Sequence, residues 1–210
     1  MPTRAQTKTL LSWLRLTREF YNAALQERRD AYSNQKIAIS YYDQQKQVKD
    51  VQIEREDLAK LPVVVLRGAL RRLEKAFQRF FERCKKKEKK KGYPRFKGAS
   101  RWRTLEFYQT LLKSPIVGGG KRLAVPNLGK VRLKQHRPLE GRPRSLKITL
   151  DGNDKWYVSI SCDKVPCKPL PRTEKSVGVD VGIKVFAATS DGQFFENPRP
   201  LEKARIQIER

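Results

Sequence analysis

Long apolar runs are missing from this 210-residue chain. No stretch of 18 apolar residues occurs, which excludes a transmembrane helix. The first 16 residues alternate polar and apolar side chains and lack the apolar block of a secretory signal, so no leader is expected. Cysteine is rare: Cys84, Cys162 and Cys167 are odd in number and badly spaced for a disulfide framework or a zinc site. Reduced cytosolic thiols and no zinc are expected. The single histidine, His136, lies between Gln135 and Arg137 in a basic stretch, which sets aside His-based catalysis and multi-histidine metal sites. No internal repeat is visible. Acidic residues are also scarce, 22 against 47 Lys and Arg, for a net charge of +25. Apolar residues make up only 38% of the chain, but nine Phe, seven Tyr and three Trp can anchor cores, so full disorder is not expected.

An excess of positive charge this large calls for a polyanionic partner. Nucleic acid is the usual one, because each cation that neutralises a phosphate releases a counterion. The excess is concentrated. Residues 67–103 hold 16 Lys and Arg against three Glu, a net +13 in 37 residues. Phe77, Phe80, Phe81, Tyr93, Phe96 and Trp102 interleave with this charge. Basic side chains track phosphates, while aromatics either stack on bases or pack beneath the basic face. A plain solvated linker leaves those aromatics unexplained, and a membrane surface is a poorer match without an amphipathic Trp/Leu face.

Along the chain, Thr3 and Gln6 form a capping box opening a helix. Leu10, Leu14, Thr17, Tyr21 and Leu25 then recur at helical spacing, which predicts one amphipathic helix to about residue 29. Ser40 and Asp43 cap a second, thinner helix through about residue 57, carrying Val48, Val51 and Leu58. Pro62 suits the first turn of a third. There Leu66, Leu70, Leu73, Phe77, Phe80 and Cys84 form one face and Arg67, Arg71, Lys75, Arg79 and Arg83 the other. Residues 92–98 then switch the pattern from helix to strand. Short strands are predicted over 104–112, 122–125, 130–134, 145–150 and 155–162, the last two joined by an Asp151-Gly152-Asn153-Asp154 hairpin. Five short strands with basic loops point to a small barrel. Residues 166–175, with Pro166, Pro169 and Pro171, read as a linker. Beyond it come strands over 176–182 and 184–189, a turn, a third strand opening at Phe194, and a terminal helix from Leu201.

Asp180 sits inside an apolar, glycine-flanked strand, where Asp is disfavoured. It is either a hydrogen-bonding Asp of a glycine-rich segment or a metal ligand. The strand–turn–strand meander after it is what an RNase H-like metal site requires, which favours the second reading. Downstream carboxylates are few: Asp191, Glu196, Glu202 and Glu209.

Several stretches together resemble the TnpB (OrfB-type) family, transposon-associated proteins related to type V CRISPR effectors. They are Pro2-Thr3-Arg4-Ala5-Gln6 leading to Arg18-Glu19-Phe20-Tyr21-Asn22, Gly92-Tyr93-Pro94-Arg95-Phe96-Lys97, and Lys155-Trp156-Tyr157-Val158-Ser159. The most specific is Val177-Gly178-Val179-Asp180-Val181-Gly182-Ile183-Lys184, followed by Glu196-Asn197-Pro198-Arg199. The resemblance implies an α+β multidomain protein. A helical recognition domain would span 1–91, a wedge-type (OB-like) β-barrel 92–165, a linker 166–175, and the first strands of an RNase H-like (RuvC) nuclease domain 176–210. It implies RNA-guided DNA endonuclease activity, guide RNA and DNA as partners, and a cytoplasmic, nucleoid-associated setting. Asp180 would be the first RuvC carboxylate and a Mg²⁺ ligand. The strand the family places before the Pro-Thr segment, its later acidic residues and its paired Cys-x-x-Cys motifs have no counterpart here. The expectation is therefore the N-terminal portion of such a protein, binding nucleic acid but not cleaving as this chain. A separately encoded C-terminal half, a repressor-like binder and a decayed transposon fragment are the alternatives. Nucleic acid would be held by Arg71, Lys75, Arg79, Lys86, Lys87, Lys90, Arg95, Lys97, Arg101 and Arg103, with Tyr93, Phe96 and Trp102 stacking or bracing.

Overall fold

The computed structural model describes residues 2–108, 114–167, 169 and 176–208, without the side chain of residue 207. The chain divides into two compact units, Met1–Pro166 and Cys167–Arg210. Most of the proline-rich stretch (168 and 170–175), the end of the strand predicted over 104–112, and Glu209 lie outside the described residues.

The first unit begins with helix α1, Arg4–Gln35. Thr3 and Gln6 close the expected capping box at its start. The helix runs six residues further than its apolar stripe, because residues 30–35 contain no breaker. It stops at Lys36, whose left-handed backbone lets the Lys36 N–H reach back to Tyr32 and the Ile37 N–H to Ala31. Helix α2, Tyr41–Glu54, is capped by Ser40 and Asp43. The Ser40 hydrogen bonds hold the Asp43 carboxyl below its usual range. α2 ends earlier than predicted, and Leu58 sits instead on the short α3, Glu56–Ala59. Helix α4 spans Val63–Lys85, with Pro62 at the N-cap rather than in the first turn. Its predicted apolar face holds: Leu66, Leu70, Leu73 and Phe77 are buried, each worth about 2 kcal/mol of burial. Phe80 and Cys84 are only half-buried as the helix leaves the core.

Two antiparallel three-stranded sheets follow. One has the order β1-β5-β6, from β1 Thr104–Tyr108, β5 Arg142–Leu150 and β6 Trp156–Asp163. The other has the order β2-β3-β4, from β2 Ile116–Val117, β3 Arg122–Val125 and β4 Gly129–Arg132. Among the described residues these strands do not close into the expected small barrel. The second sheet is a local meander inserted between β1 and β5 of the first, and its strands are only two to four residues long. Their apolar faces instead share one core with the helices. Leu105 and Phe107 of β1 lie opposite Ile148 and Leu146 of β5, while Leu123 and Val131 face each other on the second sheet. The approach of α4 to β1 depends on Gly68. A Cβ there would stand 2.7 Å from the Glu106 carbonyl oxygen.

A buried polar network also bolts the helices together. Arg28 of α1 donates to Gln44 of α2 at 2.8 Å and to Glu74 of α4 at 2.9 Å. Gln44 in turn donates to the Ala24 carbonyl and to Glu27.

The second unit is an antiparallel meander of order β7-β8-β9, then a helix. Its strands are β7 Val179–Val181, β8 Val185–Thr189 and β9 Phe194–Glu196, and its helix is α5 Pro200–Ile208. The meander predicted after Asp180 is therefore present, although among the described residues of this unit only Ala187 is buried. Among the described residues of both units, no helix is long and apolar enough to cross a membrane.

Candidate nucleic-acid interface

Because α4 buries one stripe, its basic residues fall on the remaining surface at four-residue steps. Arg71 and Lys75 lie over the Tyr108 ring of β1, at 4.6 and 5.9 Å from its centre. The ring attracts both charged heads by its π face, and Lys75 remains exposed beside it. Arg79, one turn further on, is exposed. Past the helix end Lys86, Lys87 and Lys90 are all exposed, and Lys87 adopts a left-handed turn conformation (φ 54°). Arg83 reaches over this turn and donates to the Lys91 carbonyl at 3.2 Å.

The segment 92–98 has no helix or strand of its own, yet it is held at both ends. Asn22, on α1, clamps it with a two-way amide bridge. The Lys97 N–H donates to Asn22 Oδ1 at 2.8 Å, and Asn22 Nδ2 donates to the Lys97 carbonyl at 3.1 Å. Asn is a mediocre helix former, and this pairing explains its place inside α1. At the other end Tyr93 stands edge-on to Phe77 and Phe80, with ring centres 5.7 and 5.2 Å away. Pro94 is buried, whereas Tyr93, Arg95 and Phe96 are exposed. Burial pushes the Lys97 ammonium below its usual range, and Arg72, Arg101 and Arg95 push it the same way. The fold thus gathers four cations whose mutual repulsion a bound polyanion relieves.

Trp102 and Arg103 sit differently. Trp102 is only 3% exposed. Its indole N–H donates to Thr17 Oγ1 at 2.9 Å, Tyr21 packs at 4.9 Å, and the Arg72 guanidinium lies 3.8 Å from its ring centre. It braces the basic region from beneath and offers no face to a base. Arg103 donates to the carbonyls of Leu150 at 2.9 Å and of Asp151. It ties β1 to the β5–β6 hairpin, so part of its hydrogen-bonding capacity is already used.

In the second unit Asp180 is exposed on β7, opposite Ala188 of β8. With β8 in the middle, β7 forms an edge of the described sheet. Asp180 is a single carboxylate, and a hard divalent cation takes six or more oxygen ligands. Among the described residues no group of three or more His, Cys, Asp or Glu is placed to hold a metal ion. The described residues therefore do not by themselves compose a divalent-cation site around Asp180.

No family model matches the chain. Two relatives do. The chain is 27% identical over 212 residues to "Putative RNA-guided DNA endonuclease" of Streptomyces pristinaespiralis, covering 99% of this chain and 50% of that protein. It is 26% identical over 149 residues to "Putative RNA-guided DNA endonuclease InsQ" of Escherichia coli K12, covering 71% of this chain and 35% of the relative. These two matches support the resemblance to TnpB-type proteins. It spans half the length of the first relative and about a third of the second. A cryo-EM structure of a Cas12f1-sgRNA-target DNA complex aligns with a TM-score of 0.45 at 13% identity, covering 100% of this chain and 57% of that one.

The fold brings Arg95 and Arg101 close enough to Lys97 to repel it. It also adds Arg72 and Asn22, which composition and periodicity did not single out. Arg72 was hidden because it lies beside the basic stripe of α4, angled at Trp102. Asn22 offered one usable sign, a polar, poor helix former inside a long helix.

Proposed function

We propose that this chain is a TnpB-type nucleic-acid-binding protein that holds a guide RNA and target DNA by their phosphates. Arg71, Lys75 and Arg79 on α4, the lysines past its end, and Arg95, Lys97 and Arg101 supply the cations. The observation that carries this reading is the cluster around Lys97. Lys97 is tied by the amide clamp and Arg72 lies on the buried Trp102, with Arg95 and Arg101 close enough to repel Lys97; that arrangement costs the free protein energy and favours a polyanion. Backbone contacts of this kind position a strand without reading its sequence. Sequence choice would then rest with base pairing to the guide, as in RNA-guided effectors. The names of the two relatives support DNA cleavage as the activity of the wider family. Asp180 would be the first carboxylate of such a RuvC-type site, with Mg²⁺ clamping the scissile phosphate once further oxygen ligands are supplied. The residues described here carry out the binding.

The test is the salt dependence of binding to labelled RNA and DNA. The logarithm of affinity is expected to fall linearly with log salt, with a slope of about −0.7 to −0.9 per phosphate contacted. A variant with Arg95→Glu and Lys97→Glu should weaken binding across unrelated sequences and flatten that slope. A flat salt response in the unaltered protein overturns the proposal.

A further inference from the structure

A cleft of 550 Å³ lies between the C-terminal half of α1 and the clamped 92–98 segment. Leu25 and Pro94 are its buried lining residues. Three exposed aromatic rings line it as well: Tyr32 at 60%, Tyr93 at 44% and Phe96 at 47% exposure. Arg29 and Arg95 bring positive charge, Ser33 adds a hydroxyl, and none of the described lining residues is acidic. Phe96 is a large apolar ring left in water, and Tyr32 is exposed as well, with the Lys36 ammonium 5.5 Å from its ring centre. Tyr93 is different, because Phe77 and Phe80 support its ring edge-on and fix its plane.

From this cleft we infer that the chain captures an unpaired nucleotide, its base stacked among Tyr32, Tyr93 and Phe96 and its phosphate held by Arg29 and Arg95. The inference rests on the nucleic-acid-binding reading and deepens it, separating a single-strand site from the general phosphate-binding surface. The size suits the occupant, since clefts of roughly 300–1,000 Å³ hold small organic groups. The chemistry suits it too. Every unpaired base offers a π face, and aromatic platforms flanked by cations are how sequence-tolerant single-strand binders work. A duplex keeps its bases stacked on one another and cannot fill the cleft. An apolar peptide would leave both arginines without an anion. Ser33 and the tyrosine hydroxyls are suited to a ribose 2′-OH, the group that separates RNA from DNA.

The full chain is titrated against fluorescein-labelled 15-nucleotide oligo-U, the matching oligo-dT, and a 15-base-pair duplex. Tyr32→Ala and Phe96→Ala remove exposed rings without touching the core, and thermal melts confirm that each variant folds. Stacking is worth roughly 1–3 kcal/mol per base, so each variant should bind the single strands about 5- to 150-fold more weakly. Duplex affinity should change less than twofold, and the salt slope should stay as in the unaltered protein because no charge is removed. Phe96→Tyr should keep single-strand affinity. Tighter binding of oligo-U than of oligo-dT identifies RNA as the occupant, and the reverse identifies DNA. Single-strand affinity within twofold of the unaltered protein in both ring variants overturns the inference, as does equal loss on single strand and duplex. If the unaltered chain binds every probe in a salt-dependent way but the ring variants match it, only the cleft inference fails. If it binds no probe, the nucleic-acid reading fails with it.

Discussion

Asn22→Ala isolates the link between the helical core and the basic segment. The substitution deletes both amide hydrogen bonds to Lys97, at 2.8 and 3.1 Å, and alanine keeps α1 helical. A hydrogen bond of this kind contributes about 1 kcal/mol net, so about 2 kcal/mol is lost. That shifts the opening equilibrium of the 92–98 segment roughly 30-fold. Trypsin cuts after Arg95 and Lys97 only when the segment opens. Where closing outpaces cleavage, the rate tracks the open population. Cleavage at these two bonds should therefore accelerate by roughly 30-fold, while cleavage after Arg15, inside α1, stays near its original rate. Oligonucleotide affinity should fall by no more than the same factor, since only the closed segment presents Arg95 and Lys97 together. Asn22→Asp should act in the same direction, because a carboxylate oxygen then faces the Lys97 carbonyl. Cleavage after Arg95 and Lys97 within threefold of the unaltered protein would refute the clamp.

Three further outcomes follow from the packing. Gly68→Ala ordinarily stabilises a helix by about 1 kcal/mol. Here the new Cβ meets the Glu106 carbonyl at 2.7 Å, so urea unfolding should show a net loss of about 1–3 kcal/mol instead. Trp102→Phe removes the donor to Thr17 and part of the ring beneath Arg72; it should cost about 1–3 kcal/mol of stability while leaving the salt slope of binding intact, and a changed slope would mean that Trp102 touches the ligand. Lys97→Met tests the cation cluster through pH. The folded-state pKa of Lys97 lies below its usual 10.5, so its charged form costs stability below the folded pKa, and that cost disappears as pH rises from there through 10.5. The variant should therefore unfold at higher urea than the unaltered protein at pH 7, the gap should close near pH 10.5, and oligonucleotide binding should weaken. A less stable variant at pH 7 would contradict the repulsion argument.

The sequence by itself determined the elements that depend on local chemistry. The capping boxes at Thr3 and Ser40, the heptad-like face of α4, the Asp151–Asp154 turn and the alternation along β6 were all legible, because caps, helical period and strand period are set by neighbours a few residues apart. The meander after Asp180 was legible for the same reason, and Arg95, Phe96 and Lys97 stood out as binding candidates because charge and aromatic rings interleave there. What tertiary structure decided was which partners those elements meet. Trp102 and Phe96 both sit among basic residues in sequence, yet one is sealed against Thr17, Tyr21 and Arg72 while the other stands in water. That difference arises from contacts 85 residues apart, as between Trp102 and Thr17. Leu123, Val125 and Val131 of the short strands join the same buried cluster as the helices rather than closing a barrel, and strand-forming pattern alone does not say which distant core a short strand joins. Arg28 looks like a surface charge in sequence, but α2 and α4 enclose it. The cleft of Tyr32, Tyr93 and Phe96 forms where Asn22, Phe77 and Phe80 hold a loop against a helix more than 70 residues earlier, a separation no local pattern can report.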